Sequence, residues 1–497
     1  MTDTRGIFGH PSGLTTLFFT EMWERFSFYG LRAILFLYMT TELAKGGLAL
    51  PRPYAGLIMG TYTSSVYWTP LVGGWLADKW IGARRAVLIG GILIACGHFS
   101  MAIATMPNFY LGLTLIALGT GFLKPNVSTM VGFLYDKDDD RRDAGFSIFY
   151  MGINTGALLA PLVVGYLGQN IEWHYGFGAA GIFMLFGLIQ YVLGKNRLRG
   201  IGEPPPRGKV PPSPAEKGNG SPDFEVITAL LALAGAAVGF FAGFVWGRAG
   251  LIGTIFPMVV GFFFGYIAGT CRHLNRDEAF RVGIIFILFL FAIVFWMSFE
   301  QAATSLTLFA DKLTRLNLFG FRFPSSWYQS VEPVFVLCLA PVFALIWQRL
   351  RKKNPSSAIK FAIALVFAGL AFGLVAFASR LAPTSSGPLP DSLRLSPMWL
   401  VGVYFLQSLG ELCLSPVGLS SITKISPGKM VGLMMGIWFL ALSIGNYLAG
   451  IMGGMFNEQA EGALFKLFAS VAAFTLVAAL ILFLLAPLLK RMTPRPT

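Results

Sequence analysis

Apolar runs close to the length of a bilayer crossing, about 20 residues of helix, recur from Leu14 almost to the C-terminus. Bounded by Pro, Gly or charge, they predict fourteen spans: 14–41, 53–78, 84–105, 109–134, 142–168, 174–195, 224–247, 250–271, 280–310, 326–350, 356–379, 398–424, 429–454 and 462–489. An even number puts both termini on one side. The one long break, residues 196–223, holds Glu203-Pro204-Pro205-Pro206 and Pro211-Pro212-Ser213-Pro214, a basic, proline-rich linker without periodicity. It sets six spans apart from everything after. The first thirteen residues show no cleavable signal pattern, so the first apolar segment is expected to stay as a spanning helix.

Composition sharpens this picture. The chain is 55% hydrophobic and 12% charged, about half the charged share of a soluble domain, and such a chain cannot hide its apolar surface in a water-bounded globule. The net charge of +14 would suggest nucleic acid if it formed a patch on a soluble domain. With the termini inside, however, 26 of the 38 Lys and Arg fall on the cytoplasmic side and 9 outside, as the positive-inside rule requires. The charge is mostly a topology signal. Cys96, Cys271, Cys338 and Cys413 stand singly, without a C-x-x-C pair or His at ligand spacing, so neither disulfides nor a metal site are expected. No set of catalytic residues appears either, and no enzyme activity is expected.

Charge inside an apolar span costs about 2.5–3.5 kcal/mol per residue on insertion scales, which marks each such residue as a functional candidate. In the first span Glu21, Arg25, Phe28, Tyr29 and Arg32 recur at helical spacing with Glu24 alongside, one polar stripe that must face a cavity or other helices. At 1.5 Å of rise per residue, Lys124 on the fourth span lies at the height of Arg25 and can share a site with Glu21 and Glu24. Arg32 lies near the level of Glu300, and Glu411 falls near mid-span, so both halves of the chain bring charge to the midplane. Trp296 stands one turn before Glu300 and is expected to face the same pocket. His10, His98, His174 and His273 do not join the stripe, which argues against a histidine relay.

Several motifs carry a resemblance. The segment Gly73-Gly74-Trp75-Leu76-Ala77-Asp78-Lys79 with Arg84-Arg85 resembles the loop signature of the major facilitator superfamily, built as two six-helix halves. The runs Glu21-x-x-Glu24-Arg25-Phe26, Gly119 to Asn126, Phe149 to Gly156, Glu300-Gln301 and Gly410 to Gly418 resemble the signatures of the proton-dependent oligopeptide transporter family, prokaryotic type. The resemblance implies an all-α polytopic fold with a six-helix half at 1–195, a cytoplasmic linker at 196–223, two inserted peripheral helices at 224–271 and a second six-helix half at 272–497. It implies a bacterial inner-membrane protein, both termini cytoplasmic, acting as a monomer with short peptides and protons as partners and no cofactor. Glu21, Glu24, Arg25, Lys124 and Glu300 would serve proton coupling. Tyr29, Arg32, Tyr67, Lys124, Asn154, Trp296, Glu300, Glu332, Glu411 and Trp438 would line the peptide pocket. Arg32–Glu300 is the expected outer gate and Lys124–Glu411 the inner one.

Two positions depart from the family. Phe28-Tyr29 replaces a tyrosine pair, and Glu332 in Ser330-Val331-Glu332-Pro333 stands where a neutral Asn is expected. Near the heights of Arg32 and Glu300, Glu332 is either an added proton site or a competitor for Arg32. The expected activity is proton-coupled import of di- and tripeptides by alternating access. Transport of nitrate or another anion, drug antiport, and peptide reception without transport are the alternatives.

Overall fold

The computed structural model describes residues 6–136, 139–204, 222–246, 250–272, 274–318, 320–350, 353–383, 389–427 and 430–492. Most of the expected linker, and His273 and Arg248, lie outside them. A first group of helices comprises α1 (Ser12–Thr40), α2 (Arg52–Leu76), α3 (Ala83–Met101), α4 (Met106–Phe133), α5 (Arg142–Tyr166) and α6 (Trp173–Leu193). After α7 (Pro222–Trp246) and α8 (Gly250–Cys271) come α9 (Arg276–Phe299), α10 (Ser305–Leu313), α11 (Val331–Leu350), α12 (Ser357–Leu381), α13 (Met398–Ile425), α14 (Val431–Gly454) and α15 (Ala463–Met492). Twelve spans are apolar and long enough to cross a membrane, with α9 and α10 counted as one. The other two crossings are α1 and α2, of 29 and 25 residues. Charge on α1 and the Gly, Ser and Thr of α2 lower their hydropathy without shortening them.

One expectation is corrected. The span 280–310 is not continuous: α9 ends at Phe299, Glu300–Ala303 form a 3-10 turn, and Thr304 leaves helical geometry (φ −128°, ψ −93°) before α10 begins. The break frees backbone groups at membrane depth, where only protein or a cavity can satisfy them. Thr304 Oγ1 donates to the Ala449 carbonyl of α14 (3.2 Å), and Thr307 Oγ1 to the Ala302 carbonyl (2.7 Å). Glu300 sits at the first residue of the broken turn.

Within lipid, helices associate through close packing rather than hydrophobic exclusion, and small residues permit it. The main seam between the two halves joins α2 to α14. There a Cβ on Gly60 would stand 2.7 Å from the Tyr447 carbonyl oxygen, so only glycine lets the backbones approach this far. The α7–α8 hairpin uses the same device, with Gly235, Gly239 and Gly243 at four-residue spacing on one helix and Gly261, Gly265 and Gly269 on the other. It touches the rest through α2 and a stack of Phe256 on Tyr447 (4.3 Å between centroids). Outward side chains such as Val238 and Phe241 are exposed, suited to lipid.

The start of α1 and the end of α15 lie at one end of the bundle. Toward the opposite, far end, hydrogen bonds cross between the halves: Ser443 Oγ to the Ser64 carbonyl, Ser330 Oγ to the Leu158 carbonyl (both 2.8 Å), Trp327 Nε1 to the Leu162 carbonyl and Gln169 Nε2 to Ser325 Oγ. At that end Arg52 of α2 grips Glu458, in the loop after α14, with two parallel bonds of 2.5 and 2.6 Å. The far end is closed. Toward the other end, Tyr150 of α5 is 41% exposed.

Candidate functional site

The α1 stripe faces inward. Arg25 Nη2 donates to Glu24 Oε1 (2.7 Å), its Nε bonds the other Glu24 oxygen, and the same Nε lies 3.3 Å from Glu21 Oε1. Thr120 of α4 donates to Glu24 (3.4 Å). Glu21 Oε2 is buried without a partner, so two acids share one guanidinium incompletely. The nearby Lys124 ammonium interacts with both carboxylates while its Nζ rests 4.1 Å above the Tyr67 ring. Helical spacing brings Glu21, Glu24 and Arg25 together, and the equal depth of α1 and α4 adds Lys124, as expected from the sequence.

About two helical turns further along α1, Arg32 Nη2 bonds Glu300 Oε2 at 2.5 Å, both side chains buried. This pair, expected from the sequence at the outer gate, joins the first half of the chain to the second. Tyr29 lies under the Arg32 guanidinium (5.8 Å). A cavity of about 30 Å³ is lined by Tyr29, Arg32, Gln329, Glu332 and Tyr404 among others, room for a water and not for a dipeptide.

Glu332 does not take Arg32 from Glu300. It lines the same cavity, but its side chain lies beside that of Glu411, and Ser408 Oγ, one turn before Glu411, donates to the Glu332 carbonyl (3.3 Å). One Glu332 carboxyl oxygen is buried without a hydrogen-bond partner. Of the two roles open to Glu332, competitor for Arg32 or added acid, the arrangement favours the second. The Lys124–Glu411 pair is not formed: Lys124 is turned to Tyr67 and the α1 acids, and Glu411 to Glu332.

Asn154 is buried and donates to the Tyr150 carbonyl (3.0 Å). Trp296 is buried edge-on against Phe295 and Phe299, its Nε1 without a partner, a donor held in reserve. Trp438, at 3% exposure, packs over Gly418 and edge-on to Phe361, in one buried cluster with Tyr67 and Trp296. Sequence reasoning missed Gln329, Tyr404, Gln407 and Tyr62. Gln329 bonds the Ala33 carbonyl and Thr307 Oγ1, and the others hold buried polar atoms without partners. Uncharged polar residues in a span carry little signal, although Gln407 lies one turn before Glu411 on a helix already marked.

The model of the POT family matches residues 84–214 and 258–467. The chain is 42% identical over 98% of its length to YclF, an uncharacterized transporter of Bacillus subtilis (strain 168), covering 96% of that protein. It is 39% identical, over 98% of its length and 97% of the relative's, to a di-/tripeptide transporter of Lactococcus lactis subsp. cremoris. The crystal structure of a mutant of the peptide transporter POT in complex with alafosfalin superposes with a TM-score of 0.84 at 40% identity, covering 99% of this chain and 98% of that one. With the helix order, the buried α1 cluster and these matches in agreement, the chain belongs to the POT family and is a multi-pass membrane transporter.

Proposed function

We propose that this protein imports di- and tripeptides across a bacterial inner membrane together with protons, as a monomer, with both termini in the cytoplasm. The observation that carries the reading is the Arg32–Glu300 pair, a buried ion pair between the two halves at their closed end. Protonation of Glu300 removes its charge and frees Arg32, so one proton weakens the far-end closure. A proton drives a transport cycle only through such a difference in affinity between states. The peptide supplies complementary charges: its carboxylate suits Arg32 and Lys124, and its ammonium suits Glu300, Glu411 and Glu332. When a peptide carboxylate takes Lys124, that ammonium is withdrawn from Glu21 and Glu24, which links substrate binding to the proton cluster. Peptide chemistry is also supported by the names of the Lactococcus relative and the alafosfalin-bound structure.

The test is uptake of labelled di-alanine into proteoliposomes. The expected result is accumulation above the outside concentration only under an imposed inward proton gradient. Equal uptake with and without the gradient removes the coupling, and uptake of nitrate but not di-alanine removes the peptide reading.

A further inference from the structure

At the termini-bearing end of the second half a cavity of about 470 Å³ opens among α9, α12, α13 and α15, sharing no residue with the site above. Its wall holds the ammonium groups of Lys360, Lys424 and Lys490 and the hydroxyls of Ser356, Ser357, Ser420 and Ser421, and no carboxylate. Lys360 is the anomaly. Only 8% exposed, it has no carboxylate partner among the described residues, and its Nζ rests 4.1 Å above the Trp347 ring. A buried ammonium is costly unless an anion meets it.

The helix that carries Lys360 begins at this cavity. Ser356 is the N-cap of α12 (φ −61°, ψ 159°), yet it makes no capping bond, and its buried Oγ has no partner. The first N–H groups of a 25-residue helix therefore remain without a side-chain acceptor at a place where the helix dipole favours negative charge. Ser421 Oγ of α13 donates to Ser357 Oγ (2.6 Å), fixing the wall across two helices.

We infer that this cavity is a binding site for a phosphate-bearing anion, held by Lys360 and Lys424 and by the start of α12. Two sources share that chemistry at a membrane face, free phosphate and an anionic phospholipid headgroup. The inference does not depend on what the protein transports.

Thermal unfolding of the purified full chain in detergent tests it. One arm titrates sodium phosphate against sodium chloride at matched ionic strength, and the other phosphatidylglycerol against phosphate-free diacylglycerol. A saturable rise in Tm with phosphate identifies the free anion, and a rise confined to phosphatidylglycerol identifies the headgroup. In either case Lys424→Gln should raise the half-saturating concentration about tenfold or more, and Lys360→Gln with Lys424→Gln should abolish the rise. Lys424 is exposed, so its single replacement reads the site even where the double variant does not fold. No rise beyond the chloride and diacylglycerol controls overturns the inference, as does a rise unchanged by Lys424→Gln.

Discussion

Glu21 and Glu24 lie within one turn of α1 and share Arg25, and Glu21 keeps one oxygen unbonded in a buried place. Incomplete pairing of this kind would suit a cluster that exchanges a proton, as the proposed coupling requires. Replacing Glu24 by Gln preserves shape and removes the charge that Arg25 holds. Gradient-driven accumulation of di-alanine should fall to the equilibrium level while peptide-for-peptide exchange continues at a rate within about tenfold of the unmodified protein. Accumulation that survives in the variant assigns the coupling elsewhere. Glu332 carries a second residue-scale expectation. It lies beside Glu411, and the other groups facing it are Arg32, Glu300, Tyr150 and Tyr404. An amide at 332 removes one of two adjacent buried carboxyls, so the uptake-against-pH curve of Glu332→Gln should be displaced. A curve superimposable on the original returns Glu332 to a structural role.

At the scale of helices, the spans and the α1 stripe were legible because apolar length and charge within it are both written along the chain. What lay hidden depends on rotation and partners. The break at Glu300–Thr304 has no Pro or Gly to announce it, and it is stabilised by Ala449 of another helix. The pairing of Glu332 with Glu411 rather than Arg32 is set by how α11 meets α13. The height of a residue in its span says nothing about that. Trp438 shows the same limit: its depth was legible, its packing over Gly418 was not. The Arg52–Glu458 clasp was not expected at all, since both residues lie in or beside loops. Partial burial raises the Glu458 carboxyl, and the Arg52 bonds and charge, with a backbone hydrogen bond and the Lys312 charge, together outweigh this and leave it below the ordinary carboxylate range. A carboxyl with a depressed value contributes above the ordinary value, about 4.3, and loses its contribution only as pH falls through the lowered one. The clasp is therefore constant from pH 5 to 8. Arg52→Ala should favour opening of the far end by on the order of tenfold, measured by distances between spin labels on the two halves, without changing the shape of the pH profile of uptake. A changed profile makes the clasp part of the proton machinery.

For the whole molecule, the structure is clasped from mid-height to the far end. The Arg32–Glu300 pair is made, and Lys124 and Glu411 face other partners; the proposed cycle would exchange one pairing for the other. The α7–α8 hairpin bears on the seam through α2 and Tyr447, outside the charged path. The central claim is that one buried charge network binds peptide and proton together, and the most direct measurement follows both at once. Proteoliposomes holding a trapped pH-sensitive dye, clamped at zero membrane potential with equal pH on both sides, receive external di-alanine. The account predicts acidification of the lumen that depends on peptide, saturates with it and disappears in Glu24→Gln. Entry of labelled di-alanine with no change in internal pH would contradict it.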